Sequence, residues 1–224
     1  NKVNKVFFSD LIVEMQSKRL IMKTKSAYLS KTENEKVIIK EGKFLIKDYS
    51  NFFKTKSNYS LSAYIESDYQ NLINIVKNEM LVNIDNFTVE RLQGLIKVDF
   101  NLLSSYDIAL NKNQLKYTIN GKLENFSTRE DINFSPIPLK LKNFNGTLKA
   151  KNNIIDLEGI GLLNKSKINF KLQIDENNKL VAKINSNARH DSFNFLGEYN
   201  YLRSGTTQLN IDIYKDDLRN DKWS

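Results

Sequence analysis

From Ile96 onward the chain alternates apolar and polar residues with a period of two. Ile96, Val98, Phe100 and Leu102 alternate with Lys97, Asp99 and Asn101, and Leu115, Tyr117 and Ile119 with Lys116, Thr118 and Asn120. Ile168, Phe170, Leu172 and Ile174 alternate with Asn169, Lys171, Gln173 and Asp175. Leu180, Ala182 and Ile184 follow, then Phe193 and Phe195, then Leu209, Ile211 and Ile213. A period of two gives each strand one apolar and one wet face, the signature of antiparallel sheets. Turn-forming residues punctuate these runs at Asn145-Gly146, Lys151-Asn152-Asn153, Asn164-Lys165-Ser166, Glu176-Asn177-Asn178 and Ser204-Gly205. The short spacing lets each strand pair with its neighbour in sequence. The pattern predicts a meander.

The first third is less regular. Residues 37–46 read as two strand halves, Val37/Ile39 and Phe44/Ile46, around a Glu41-Gly42 turn, and Leu61, Ala63 and Ile65 make another strand. The period then changes: Tyr69, Leu72, Ile73, Ile75 and Val76 recur at helical spacing. This predicts one amphipathic helix over 67–80, with Ser67 or Asp68 capping its start. Its polar side, Asn71, Asn74, Lys77 and Asn78, is weakly basic. Two roles stay open for it: a cap on one end of the sheet that buries Leu72, Ile73 and Val76, or an element that plugs or gates a groove or touches a membrane. Residues 1–17 read equally as a short helix or a strand. Pro136 and Pro138 belong at a strand entry, because proline cannot donate to a ladder, and they place the start of a strand at Leu139–Leu141.

Areas decide what the pattern implies. About eleven strands at ~4.8 Å spacing, each about six residues long at ~3.3 Å rise, make a face on the order of 1,000 Å². One helix of about 14 residues, ~21 Å by ~10 Å, covers roughly a fifth of it. The remainder must close on itself as a sandwich or barrel, or stay open as an apolar trough. An open apolar surface beyond a few hundred Å² marks a binding site.

At 224 residues the chain is long enough for one large β domain or two smaller ones. Asn1 stands where an initiating Met would, which points to a piece of a longer polypeptide with any anchor or export signal elsewhere. No run is apolar enough for a membrane span. With no cysteine, disulfides and thiolate metal sites are excluded. The net charge of +8 comes from 28 Lys against only six Arg, alongside 30 Asn and 22 Ile. These are residues that AT-rich codons favour, and the Lys are spread along the chain. Arg, the bidentate reader of phosphate and guanine, is scarce, so the charge does not point to nucleic acid. A weak attraction to anionic membrane surfaces remains compatible with it.

Candidate chemistry is thin. His190, the single histidine, lies beside Asp191 and Ser192, but adjacent strand residues point to opposite faces and do not converge as a triad must. Gly159 and Gly161 are followed by no helix pattern, so a bulge or tight bend is expected there, not a phosphate loop. Asp216-Asp217 and Glu176 are loop acids without a second cluster at ligand spacing. The aromatic residues sit at strand periodicity, as core or lining, without the interleaved Arg of a nucleotide-stacking face. No catalytic residue, metal or cofactor is expected.

Residues 138–174 have a recognisable texture. A short apolar strand ends in Asn143-Phe144-Asn145-Gly146, and a strand with Leu148 follows. Next come the polar turn Asn152-Asn153, a strand Ile154–Leu157 leading to Gly159, the loop Asn164-Lys165-Ser166 and a long alternating strand. This segment resembles the C-terminal repeat of the AsmA-like superfamily of bacterial envelope proteins (the AsmA, TamB and YhdP types). Residues 82–102, with Leu92-Gln93-Gly94 opening a strand, resemble the preceding unit, and residues 36–48 the strand pair upstream. The likeness spans about residues 35–215.

The resemblance implies a long, twisted antiparallel meander curled into a groove or half-barrel, with one short helix. It implies a periplasmic segment of an inner-membrane-anchored protein of a Gram-negative bacterium. Its expected partner is phospholipid, held by the acyl chains, in transport between the membranes or in outer-membrane assembly. Other envelope proteins are further possible partners, and the membrane is reached through regions outside this piece. The expected groove lining is Ile96, Val98, Phe100 and Leu102; Tyr117 and Ile119; Leu148 and Leu157; Ile168, Phe170, Leu172 and Ile174; and Leu209, Ile211 and Ile213. The expected organisation is an N-terminal remnant (1–34), strands plus helix (35–92), a groove region (93–215) and a polar tail (216–224). The alternative is a structural or adhesin-like β-sandwich whose apolar faces pack on each other.

Overall fold

The computed structural model describes residues 5–32, 35–50, 56–79, 92–107, 112–129, 132–134, 137–163, 165–189 and 206–215. It is mostly β. The strands are β1 (Lys5–Phe8), β2 (Ile12–Gln16), β3 (Arg19–Thr32), β4 (Glu35–Ile46), β5 (Lys56–Asp68), β6 (Leu92–Asp107) and β7 (Lys112–Thr128). After these come β8 (Ile132–Phe134), β9 (Ile137–Leu139), β10 (Leu141–Lys151), β11 (Ile154–Leu163), β12 (Ser166–Ile174), β13 (Leu180–Arg189) and β14 (Thr206–Lys215). Twelve of them form one sheet in the order β1-β3-β4-β5-β6-β7-β10-β11-β12-β13-β14, with β2 beside β1 on the free side of β3. The sheet is antiparallel and does not close on itself. The meander predicted from alternation is present, and residues 5–8 and 12–16 are strand.

Long strands twist out of phase, and this sheet corrects the phase with bulges. On β3 and β4 the pairs Leu20–Ile46, Met22–Phe44 and Thr24–Gly42 precede Ala27–Ile39 and Leu29–Val37. Thr24 and Ala27 are three residues apart yet both buried, as are Ile46 and Val37 on the partner strand. Both strands therefore slip by one residue at the same rung. On β4 the slip is Glu41, in the left-handed region at φ 55°. On β3 the Asp10 carboxylate holds it. Asp10 Oδ1 accepts from the Lys25 and Ser26 amides at 2.9 and 3.1 Å, and from the Thr24 and Ser9 hydroxyls at 3.1 and 3.2 Å. β5 does not slip, so the register against β4 shifts between Lys40 and Lys43.

The same device recurs further on, with asparagine in the strained position. Asn125 in β7 (φ 55°) and Asn143 in β10 (φ 50°) are left-handed, a conformation asparagine tolerates. The Asn125 amide donates to Asn145 Oδ1 at 3.0 Å, and the Asn143 amide to Ser127 Oγ at 3.1 Å. Each bulge is followed by a buried aromatic, Phe126 and Phe144, both 4% exposed. Glycines make room for both rings. A Cβ at Gly94 would stand 2.5 Å from Phe126, and one at Gly159 would stand 2.6 Å from the ring of Phe144.

Several local expectations change. Glu41-Gly42 and Asn145-Gly146 are not hairpin turns: each lies inside a strand, Glu41 as the left-handed bulge residue of β4 and Asn145-Gly146 just past the left-handed Asn143 of β10. Gly159 and Gly161 cause no bulge either. β11 pairs with β12 without a register shift, and these glycines admit the Phe144 ring. Pro138 sits within β9, opposite Asn133 in a separate two-stranded ladder, and the next strand starts at Leu141. A two-stranded ladder tolerates the missing donor because each strand has one unpaired edge in it. The turns at Asn152-Asn153, Lys165 and Glu176-Asn177 are present. Pro136, Ser204-Gly205, Phe193 and Phe195 lie outside the described residues.

Helix α1 (Tyr69–Glu79) follows β5 directly, two residues later than its predicted start. Ser67 is still strand, and its hydroxyl donates to the Asp68 carbonyl at 2.9 Å, so it does not cap the helix. The helix rests on β4 and β5, with Leu72 and Ile73 half-buried and Asn71 Nδ2 donating to the Lys36 carbonyl at 3.4 Å. Two compact units divide the chain: residues 1–82, 96–121 and 150–152, and residues 83–95, 122–149 and 153–224.

Two outcomes follow for stability. Phe144→Ala empties the glycine recess and is expected to cost about 3–5 kcal/mol, while Gly159→Ala overfills it at about 1–3 kcal/mol; urea unfolding measures both. For Asp10, desolvation raises the pKa, but the Ser26 and Lys25 amides and the Thr24 and Ser9 hydroxyls together hold it below its ordinary 3.8. A depressed folded pKa gives stability that is present above the unfolded value and lost as pH falls through the folded one. The Tm gap between wild type and Asp10→Ala should hold steady above about pH 5 and close on acidification below about pH 4.

Candidate functional site

In the first unit the apolar face is built by register. On β6, alternation puts Ile96, Val98, Phe100 and Leu102 on one side, and a Cβ at Gly121 would meet the Val98 side chain. That contact sets Tyr117 and Ile119, at even offsets from Gly121 on β7, on the same face. Ile96 and Val98 are 6% and 5% exposed, and the other four are half-buried. Ala27, Val37, Ile46 and Ala63 extend this apolar surface across β3, β4 and β5.

In the second unit the ladders fix the face rung by rung. Leu157 opposes Leu172, Gly159 opposes Phe170, and Gly161 opposes Ile168. On the other side of β12, Phe170 opposes Ile184 and Leu172 opposes Ala182; beyond them Ile184 opposes Ile211 and Ala182 opposes Ile213. Phe170 meets Phe144 edge to face, with ring centroids 6.0 Å apart. Leu148, Leu157, Phe170, Leu172, Ile174 and Ile211 are half-buried; Ile168 is 4% and Ile213 37% exposed. Leu209 occupies the matching rung opposite Ser186. Among the described residues the strands make one twelve-stranded sheet and one two-stranded ladder.

The opposite face carries the lysines among polar and apolar residues, with Leu103 and Ile160 46% and 49% exposed there. A recess of about 380 Å³ in the first unit runs past Lys43, Leu45, Ser60, Ser62, Asn101, Leu103, Lys116 and Thr118. A second of about 280 Å³, in the other unit, is lined by Lys167, Asn169, Asn185, Asn187 and Gln208. The charged groups lining both are lysines, without the acid partner that acid–base chemistry requires. Glu66 pairs with Lys40 at 2.8 Å on this face; their hydrogen bond raises the Lys40 pKa and lowers that of Glu66. Burial alone raises the Tyr69 pKa. No cluster of metal-ligating side chains occurs among the described residues. His190, Asp191, Ser192, Asp216 and Asp217 lie outside them, and Glu176 is an exposed turn residue.

Sequence reasoning missed part of this surface. Phe126 and Phe144 are out of phase with their strands until the bulge is counted, so alternation hid them. The signal that finds them is the repeated Asn-Phe pair, each within ring distance of glycine. Ala27 was overlooked because a small residue looks neutral in a hydrophobic pattern. No family model, curated protein or solved structure matches the chain.

Exposure along the face sets the cost of a charge. Ile213→Asp, at the accessible margin, should leave a cooperative unfolding transition close to wild type. Phe170→Asp and Ile211→Asp should cost about 1–3 kcal/mol while staying folded, and Ile168→Asp should unfold the protein, because only there is the carboxylate sealed from water. Denaturant midpoints in that order check it.

Proposed function

We propose that the chain is a non-catalytic, lipid-binding sheet segment that holds phospholipid acyl chains on its apolar face. The observation that supports this is a face of Leu, Ile, Val and Phe kept in phase through the bulges within each unit, on strands of a sheet that does not close. Burial of hydrocarbon is worth about 0.8 kcal/mol per CH₂, so half-shielding each methylene is worth about 0.4 kcal/mol. That attraction has no direction and grows with tail length. A bound tail is therefore held firmly against leaving for water but weakly against sliding along the sheet.

The likeness of residues 35–215 to AsmA-like envelope proteins adds the setting. In this reading the segment belongs to an inner-membrane-anchored protein in the periplasm of a Gram-negative bacterium. It moves phospholipid between the inner and outer membranes or serves outer-membrane assembly. A self-packed sandwich would instead require two large sheets, whereas the described strands form one twelve-stranded sheet and a two-stranded ladder. The polar face, with lysines and asparagines in water, keeps such a one-sided sheet soluble.

Native mass spectrometry of the purified protein tests the reading. Phospholipid should co-purify with the wild type and be lost, together with displacement of a fluorescent fatty acid, in Phe170→Asp and Ile211→Asp. Wild-type protein free of lipid, and unable to take it up from vesicles, would reject the proposal.

A further inference from the structure

Burial along β4 and β5 shows which face helix α1 occupies. Ile39 opposes Ile65 on the apolar face, while Glu66 holds Lys40 at 2.8 Å on the other. Val37 and Ser67 lie one rung beyond the pair Ile38–Glu66, so alternation returns both to the apolar face. They are 0% and 4% exposed, whereas Ile39 and Ile65 are only half-buried. A residue on an uncovered sheet face keeps some exposure to water, as Ile39 and Ile65 do. Val37 is therefore under a second element. That element is α1, which packs on β4 and β5 and whose Asn71 Nδ2 donates to the Lys36 carbonyl, next to Val37.

We infer that α1 is a displaceable cover, which occupies one end of the apolar face and opens while the sheet beneath stays folded. Three observations carry this. The first is independence of the sheet. β4 keeps its ladders to β3 and β5 through Lys36 and Ile38, so no strand pairing is lost when the helix lifts. The second is the junction. β5 ends at Asp68 and α1 starts at Tyr69, so a change in backbone angles at that one point moves the helix as a body. The third is the kind of contact. A helix of eleven residues is marginal alone and depends on its packing. Leu72 and Ile73 supply apolar packing here, yet both remain half-buried.

The consequence for ligands rests on the lipid reading above. Leu72 and Ile73 hold the sheet by non-directional apolar contact, the same contact an acyl chain makes, and a tail offers more methylene than the two side chains together. Tail and helix compete for the surface around Val37, Ile39 and Ile65. A tail that takes this surface shifts α1 to its open position.

The chain has no cysteine, so Val37→Cys places a single thiol under the helix. Its labelling should proceed by local opening, at a rate that stays flat in urea below the unfolding transition. Adding Leu72→Ala and Ile73→Ala should raise that rate about ten-fold. The double alanine chain with Val37 intact should bind a fluorescent fatty acid about three-fold more tightly than wild type, because its competitor is weakened. Hydrogen exchange of the wild type reads the same opening without substitution: α1 amides should exchange well before those of β4 and β5. Labelling of Val37→Cys only with global unfolding would overturn the inference, as would exchange of α1 in step with β4. An affinity unchanged by the double alanine variant, in a chain whose wild type binds the fatty acid, would overturn it too. Local opening in a wild type that takes up no fatty acid would support the cover and reject the lipid reading.

Discussion

One constraint governs this molecule: a single antiparallel sheet keeps an apolar face only if alternation stays in phase across every rung. A slip of one residue in one strand would turn its apolar set towards water. Here the slips are matched. β3 and β4 shift together at Lys25–Ser26 and Glu41, so Ala27 still faces Ile39. β7 and β10 carry the left-handed Asn125 and Asn143, and the Asn125–Asn145 bond ties the two strands beside them. Bulges bend and twist the strands that hold them, so the same residues that preserve phase also curve the sheet. Phase and curvature are two consequences of one local device.

The glycines belong to that device. Phe144 enters the apolar face one residue late, and its ring needs a floor without side chains. Gly146, Gly159 and Gly161 provide it across two neighbouring strands. The ring then fills the space that strand glycines normally leave unpacked, and its edge-to-face contact with Phe170 continues the surface onto β12. Gly94 and Phe126 repeat the arrangement in smaller form.

Much of the fold was legible because period two survives wherever strands are regular. Residues 168–174 and 180–184 pair as their alternation implies, and the turns at Asn152-Asn153 and Glu176-Asn177 sit between strands as their chemistry demands. Legibility failed at the bulges. Glu41-Gly42 and Asn145-Gly146 have the composition of hairpin turns, and one left-handed residue serves a turn and a bulge equally. What separates the two outcomes is pairing on both sides by strands distant in sequence, which local composition does not contain. The apolar face was readable residue by residue where strands are regular, but Ala27 was missed, because a small side chain gives little hydrophobic signal.

A meander in which each strand touches only its neighbours is close to one-dimensional, and its stability is a sum over rungs. Interior strands gain two ladders and edge strands one, so the ends are the weakest and stickiest parts of such a sheet. The two ends here are unlike. On β14 the outward positions Gln208, Asn210 and Asp212 are polar, which suits an edge that ends in water. On β1 and β2 both faces are apolar, and Asp10, the one acid that turns inward, is consumed in holding the β3 slip. Glu14, the other acid of this edge, is held by Lys23 at 2.7 Å, so both carboxylates are spent on contacts within the chain.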